Sequence, residues 1–347
     1  MAYSSIVKPS DYFNTKMYDG NGGTNALTGV GFQPDWTWIK NRDATDWHFL
    51  TDAVRGVTKT LHSNTTNAES TQATALTAFG SDGFTVGNDG SVNRNNQSFV
   101  AWNWKAGGGQ GSSNTAGSIN TTYTSVNTTS GFSISKYTGT GSAGATVGHG
   151  LGVAPKMIIV KGLTYADVWI VGGDNLGGWN KEMYLNSTSA VATNNNAFNG
   201  VAPTSSVFTL GSGNGTNKSG DTYIAYAFAQ KQGYSKFESY TGNGNADGTF
   251  VYTGFKPAFV MVKESSSTGS WCIFDNKRLG YNPKNPRLYP NNSNAEDASE
   301  TIFDIVSNGF KIRGDQSDTN ASGQTYIYMA FAEAPLVGSN NVPCTAR

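Results

Sequence analysis

Charge is scarce in this sequence. Only 14% of its residues are Asp, Glu, Lys or Arg, against about 25% in an ordinary soluble domain, and the two signs cancel at 24 each. So sparse and balanced a charge gives no electrostatic footprint for nucleic acid or an anionic membrane surface. Cysteine is nearly absent as well. Cys272 and Cys344 fall in an expected strand and in the C-terminal tail, and two such residues do not make a disulfide framework. The three His, at 48, 62 and 149, are dispersed, without the spacing of a metal site. No run reaches the roughly 18 apolar residues of a membrane span, and the N-terminal residues lack the basic and apolar regions of a signal peptide. No sustained 3.6-residue periodicity marks a long helix. What is abundant is Gly, 43 of 347 residues, together with Asn, Ser and Thr. Turns and neutral polar surface follow, a composition that suits proteins exposed outside cells.

Internal similarity organises the rest. A Tyr-x-Gly-x-Gly turn occurs at Tyr18 to Gly22, Tyr137 to Gly141 and Tyr240 to Gly244. A Pro-led extended run ending in Lys follows each time, at Pro34 to Lys40, Pro155 to Lys161 and Pro257 to Lys263. Next come a Trp (Trp47, Trp169, Trp271) and an Asp (Asp52, Asp174, Asp275), then short strands around Phe84, Phe208 and Phe310. Each copy closes on an aromatic strand in which Trp104, Phe228 and Phe331 correspond. Short Val-, Ile-, Thr- and aromatic-rich runs between Gly, Asn and Asp clusters are strand and turn signals.

The expected fold is therefore all-β: three tandem antiparallel β-sandwich, jelly-roll-like repeats of about 100 residues. The boundaries fall at 1–105, 131–230 and 231–333. Residues 106–130 are expected to be a flexible Gly/Ser/Thr/Asn-rich linker that leaves the first unit freer than the other two, and 334–347 a tail.

Chemistry-bearing constellations are few. Trp36, Trp38 and Trp102 are replaced by other large apolar residues in the other copies, the behaviour of core positions rather than a sugar-stacking platform. Trp179, Tyr281 and Tyr289 lie off that pattern and are the better platform candidates. Asp52-x-x-Arg55 recurs as Asp275-x-x-Arg278, while the second copy keeps Asp174 without the Arg. An ion pair or turn cap explains this more simply than catalysis. Gly139 to Gly144 matches a dinucleotide fingerprint superficially, but no helix pattern follows, and a hairpin is expected. No catalytic, cofactor-binding or metal residue is assigned, and the ligand-binding residues are left open. The divergent loops 194–199 and 283–288 are candidates for surface contact.

At Gly31 to Lys40, Asp52 to Gly56, Ser81 to Phe84 and Val100 to Gly107 the chain resembles a group of uncharacterised repeat-containing virion structural proteins of tailed bacteriophages, marine ones especially. The resemblance touches about residues 8–333 and is strongest in the first copy. It implies a virion structural protein; the expected place is the outer surface of the particle, without enzymatic activity, with assembly in the host cytoplasm and release by lysis as one route out of the cell. A tail-fibre or receptor-binding component meeting a host surface glycan or receptor is the leading expectation. A capsid decoration protein is the alternative, and a glycan-degrading virion enzyme the third. Its partners would be other virion proteins, in many copies or as a homo-oligomer, with no nucleic acid, no membrane span and no cofactor.

Overall fold

The computed structural model describes residues 4–278, 282 and 285–337. Tyr281 and Cys344 lie outside the described residues. The fold is all-β, and its sheets are antiparallel. Three large sheets share one strand order. In the first, Phe13–Asp19 is followed by Ser98–Trp104, Trp36–Asn41 and Phe49–Asp52. In the second the corresponding strands are Phe132–Thr138, Thr222–Phe228, Met157–Gly162 and Ile170–Gly173. In the third they are Ser235–Thr241, Thr325–Pro335, Phe255–Glu264 and Trp271–Asp275. A small sheet accompanies each: Asn25–Thr28, Gly83–Val86 and Leu76–Gly80, then Thr146–Gly148 with Val207–Thr209, then Phe250–Tyr252, Gly309–Ile312 and Phe303–Val306.

Both faces of the large sheets are covered, which is why strands such as Trp36–Asn41 and Met157–Gly162 are buried at every residue. Period-2 alternation sorts their side chains. Ile39 faces the first small sheet with Tyr18, Phe84 and Phe99, and Ile158 and Val160 face the second with Phe208. The opposite faces meet one another. Trp36 and Trp104 of the first sheet, Tyr226 and Phe228 of the second, and Phe259 and Phe331 of the third belong to one hydrophobic cluster. Trp36 stacks on Tyr226 with ring centroids 4.5 Å apart, Trp104 meets Phe331 at 5.8 Å, and Phe228 meets Phe331 at 6.0 Å. The sequence boundaries thus do not enclose three separate cores. Burying several aromatic side chains at about 2–3 kcal/mol each makes this shared centre a large stabilising term.

The segment 106–130 is not a free linker. Asp35, fully buried, accepts backbone hydrogen bonds from Ala106, Gly108 and Gly109 at 2.7, 2.9 and 2.7 Å. Tyr123–Asn127 then pairs along Phe132–Thr138 as an extra edge strand of the second large sheet. Composition suggested flexibility because Gly, Ser and Thr bury little, but here the backbone supplies the contacts. Residues 139–144 do not form the expected hairpin either. They carry the chain from Phe132–Thr138, in the large sheet, to Thr146–Gly148, in the small one.

The Tyr-x-Gly-x-Gly turn has one structural reason in all three units. Single-turn helices at Gly90–Asn93, Asn214–Asn217 and Ser317–Asn320 each end on an Asn that is 0% exposed. The turn Tyr reaches that helix: Tyr18, Tyr137 and Tyr240 donate to the carbonyls of Val92, Thr216 and Thr319 at 2.6, 2.7 and 2.7 Å. Asn93, Asn217 and Asn320 accept from the backbone N–H of Asn21, Thr140 and Asn243 at 3.0, 2.8 and 3.0 Å. The first Gly is required because a Cβ at Gly20, Gly139 or Gly242 would overlap a carbonyl oxygen at the helix end. The second has φ of +68, +73 and +64° at Gly22, Gly141 and Gly244, a region that favours glycine.

Candidate functional site

The Asp-x-x-Arg pairs lie at the seams between units, fully out of water. Arg278 donates through Nε to Asp275 at 2.6 Å, through Nη2 to the Ile273 carbonyl at 3.0 Å, and through Nη1 to Glu296 at 3.1 Å. Trp102 of the first unit adds its indole N–H to Asp275 at 3.0 Å. Burial pushes the Asp275 carboxyl up, but Arg278 beside it outweighs this and holds the group below the usual carboxylate range. Arg55 repeats the arrangement with Asp52, the Leu50 carbonyl at 2.8 Å and Glu69 at 3.3 Å, and Tyr226 of the second unit donates its hydroxyl to Asp52 at 2.7 Å.

The second unit departs from the sequence reading. Strand register sets Asp52 opposite Trp36 and Asp275 opposite Phe259, and the equivalent residue opposite Met157 is Gly173, not Asp174. Asp174 sits one place on, at the surface, where it bonds Trp179 Nε1 at 2.6 Å and Lys156 at 2.5 Å. In the place of the Arg stands Leu176, 5% exposed, and the third unit offers Met329, 2% exposed, where the others offer Trp102 and Tyr226. Glu69 and Glu296 donate their backbone N–H to Leu163 and Arg42 of a neighbouring unit, as Val191 does to Ser265. The polar quartet Asp, Arg, Glu and donor is replaced as a set by Gly173, Leu176, Val191 and Met329. These residues build the seams and reach no open cleft.

The Trp landmark needs a similar correction. Trp169 and Trp271 are buried and donate their indole N–H to the carbonyls of His62 at 2.9 Å and Tyr184 at 3.0 Å, each in the preceding unit. The first-unit residue in that place is His48, not Trp47. As Asn186 and Asn291 accept the backbone N–H of Trp169 and Trp271, Asn64 accepts that of His48. His48 Nδ1 accepts from Trp38 Nε1 at 2.8 Å, so Nε2 carries the proton and donates to the Tyr289 carbonyl at 3.0 Å. First to third, second to first and third to second, the three bonds close a cycle.

Displaced by one residue, Trp47 turns outward. It is 45% exposed, whereas the other seven Trp are 4% exposed or less. Its ring lies against His62, with centroids 4.8 Å apart and the planes tilted by 54°. A groove of about 320 Å³ runs beside it, lined by Thr45, Asp46, Ser91 and Ser293 as well as Trp47. Arg94, half exposed, is paired with Asp46 at 3.4 Å. The corresponding place in the second unit is a pocket of about 210 Å³ that has Val168 in the position of Trp47 and Gly215 in that of Ser91. In the third unit the positions are Ser270 and Asp318, joined by a 2.7 Å hydrogen bond.

The platform candidates from sequence fare differently. Trp179 is 4% exposed and belongs to the second unit's core. Tyr289 is half-buried, with its hydroxyl 3.2 Å from Asp297. Cys272 is a free, buried thiol whose pKa burial pushes up. Among the described residues no three His, Cys, Asp or Glu gather as a metal site, and no helix is long and apolar enough to cross a membrane.

One family model spans residues 8–335, across all three large sheets: the domain of unknown function DUF7483. The chain belongs to that family. No curated protein and no solved structure matches it.

Proposed function

For a member of this family, we propose a non-catalytic role on the outer surface of a virus particle, as a tail-fibre or receptor-binding component that meets the host surface. One observation supports the reading: a constant buried frame carries different residues at one surface position, with Trp47, Val168 and Ser270 beside the same short helix. Loops and rims that vary on a rigid β scaffold are where binding specificity is ordinarily carried. The positions common to the units are turn glycines, cap asparagines and strand apolars, which build rather than react. Weak contacts from many copies on one particle would add up through avidity.

A second reading, a capsid decoration protein, is favoured by the cyclic bonding of three units, which suits a site where several coat subunits meet. Immunogold labelling of intact particles separates the two, with label at the tail for the first and over the head for the second. Purified chain should also slow host adsorption by competition. Particles without label would overturn both readings.

A further inference from the structure

We infer that the groove beside Trp47 is a carbohydrate subsite that holds one neutral pyranose ring, a reading that rests on the host-surface role proposed above and names its ligand. The indole is positioned before any ligand arrives. His62, 3% exposed and held at Nδ1 by the His48 carbonyl at 2.9 Å, packs against the ring at a 54° tilt, and 45% of Trp47 stays exposed beside the groove. The apolar C–H face of a pyranose covers such a ring and keeps its hydroxyls at the edge, where they need donors and acceptors together.

The rim supplies them. Asp46 is fixed by its backbone N–H to the Ser293 carbonyl at 2.9 Å across the seam with the third unit, and its carboxylate is 3.4 Å from Arg94. Ser91, Ser293 and Thr45 complete the lining. Asp46, whose Oδ1 accepts from the Trp47 backbone N–H at 3.0 Å and whose Oδ2 pairs with Arg94, keeps its remaining lone pairs as acceptors beside three hydroxyl residues, and the groove, at about 320 Å³, falls in the size range of small-ligand sites, roughly 300–1,000 Å³. Asp46 and Arg94 balance one another, so the site has no surplus cation for an acidic sugar, and its only apolar surface is the indole.

The same place in the other units shows what the Trp adds. Val168 and Ser270 offer no flat ring in that place. The subsite therefore belongs to the first unit alone, one per chain. The bond that closes the ring of units is made by His48, not Trp47, so that bond does not account for a Trp in this place.

Saturation-transfer NMR on the purified full chain tests this with the methyl glycosides of glucose, galactose, mannose and N-acetylglucosamine, and with methyl glucuronide as the acidic comparison. The expected result is transfer to the C–H protons on one face of at least one neutral glycoside. It should weaken at least about tenfold in Trp47→Ala and persist in Trp47→Phe. Trp47→Ala should lose part of the packing against His62 yet keep the parent's circular dichroism, which shows that the lost transfer is not lost folding. Transfer that survives in Trp47→Ala, no transfer to any neutral glycoside, or preference for the glucuronide would each overturn the subsite. Failure of the surface role is read separately, as unlabelled particles, and leaves the NMR result standing.

Discussion

The hydroxyl of Tyr226 donates to Asp52 at 2.7 Å across 174 residues of sequence, tying the second unit to the first at a point where neither group meets water. Because Asp52 also holds Arg55, the seam is a charge network satisfied only when every member is present. Removing one member strands the rest: Arg278→Leu or Arg55→Leu alone should cost about 3–5 kcal/mol. The second unit shows the alternative set. Asp52→Gly, Arg55→Leu, Glu69→Val and Tyr226→Met together should recover most of that loss, as apolar replacement of whole buried ion networks does elsewhere. Urea denaturation of the single and quadruple variants decides it; additive losses would show that the network is not a unit.

Asn217 is a second place where few atoms hold much structure. Its Oδ1 accepts from Thr140 and its Nδ2 donates to Ser142 at 2.9 Å and to Gly211 at 2.7 Å, all backbone groups. Asn217→Ala leaves those groups unpaired in a buried turn and should cost about 2–4 kcal/mol, with Asn93→Ala and Asn320→Ala similar. Asn217→Asp keeps the acceptor but turns a buried carboxylate oxygen toward the Ser142 and Gly211 carbonyls, so it should melt no higher than the Ala variant. An Ala variant that melts with the parent would deny the cap its role.

How far these features could be read from sequence depended on whether the signal was local. Strand runs, turn glycines and the core character of Trp36, Trp38 and Trp102 follow from alternation and from exchange among copies, and the all-β class with them. Asn93, Asn217 and Asn320 were legible too, each standing five residues before its closing strand at Ser98, Thr222 and Thr325, but one Asn among many is not conspicuous. Trp47 was misread because residue type was aligned where position mattered: His48 occupies the Trp169 place, and a one-residue shift moves a side chain from core to solvent. The common core was illegible for another reason. Nothing in a single copy says whether the second face of its sheet meets water or two other sheets.

The buried lysines give the stability curve a direction. Lys40, Lys161 and Lys263 are 0% exposed, and burial lowers each to about 8. Between about 8 and the unfolded value near 10.5, the unfolded chain binds protons that the folded one has given up, so stability rises with pH through that window. Each lysine should contribute on the order of 2–3 kcal/mol. Above about 10 the trend reverses, since burial raises Tyr18, Tyr137 and Tyr240 and the unfolded chain then ionises first. On the acid side His48, His62 and His149 are lowered by burial, so the stability of keeping them neutral is lost as pH falls below about 6.5. Calorimetry should find a higher melting temperature at pH 9.5 than at pH 7, and Lys161→Met should flatten part of the rise. A melting temperature at pH 9.5 no higher than at pH 7 contradicts the assignment.

Whether the chain behaves as one body turns on Asp35. Its carboxylate gathers the N–H groups of Ala106, Gly108 and Gly109 just where composition suggests a hinge. Beyond it, Gln110 reaches the Val54 carbonyl at 3.1 Å, Ser112 and Thr124 exchange backbone bonds at 3.3 and 2.7 Å, and Ile119 is buried against the second unit. An exposed segment fixed at so many points opens only by local unfolding, and proteases cut the open form. Proteinase K under native conditions should therefore spare residues 106–130 in the wild-type chain. Asp35→Ala removes the acceptor of three buried or half-buried donors, and should admit cleavage near Gly107 to Gly111 at least about tenfold faster, even where the large sheets keep their circular dichroism. If the wild-type chain is nicked there as fast as the variant, the segment is a hinge after all, and the first unit is held only by its aromatic contacts with the other two.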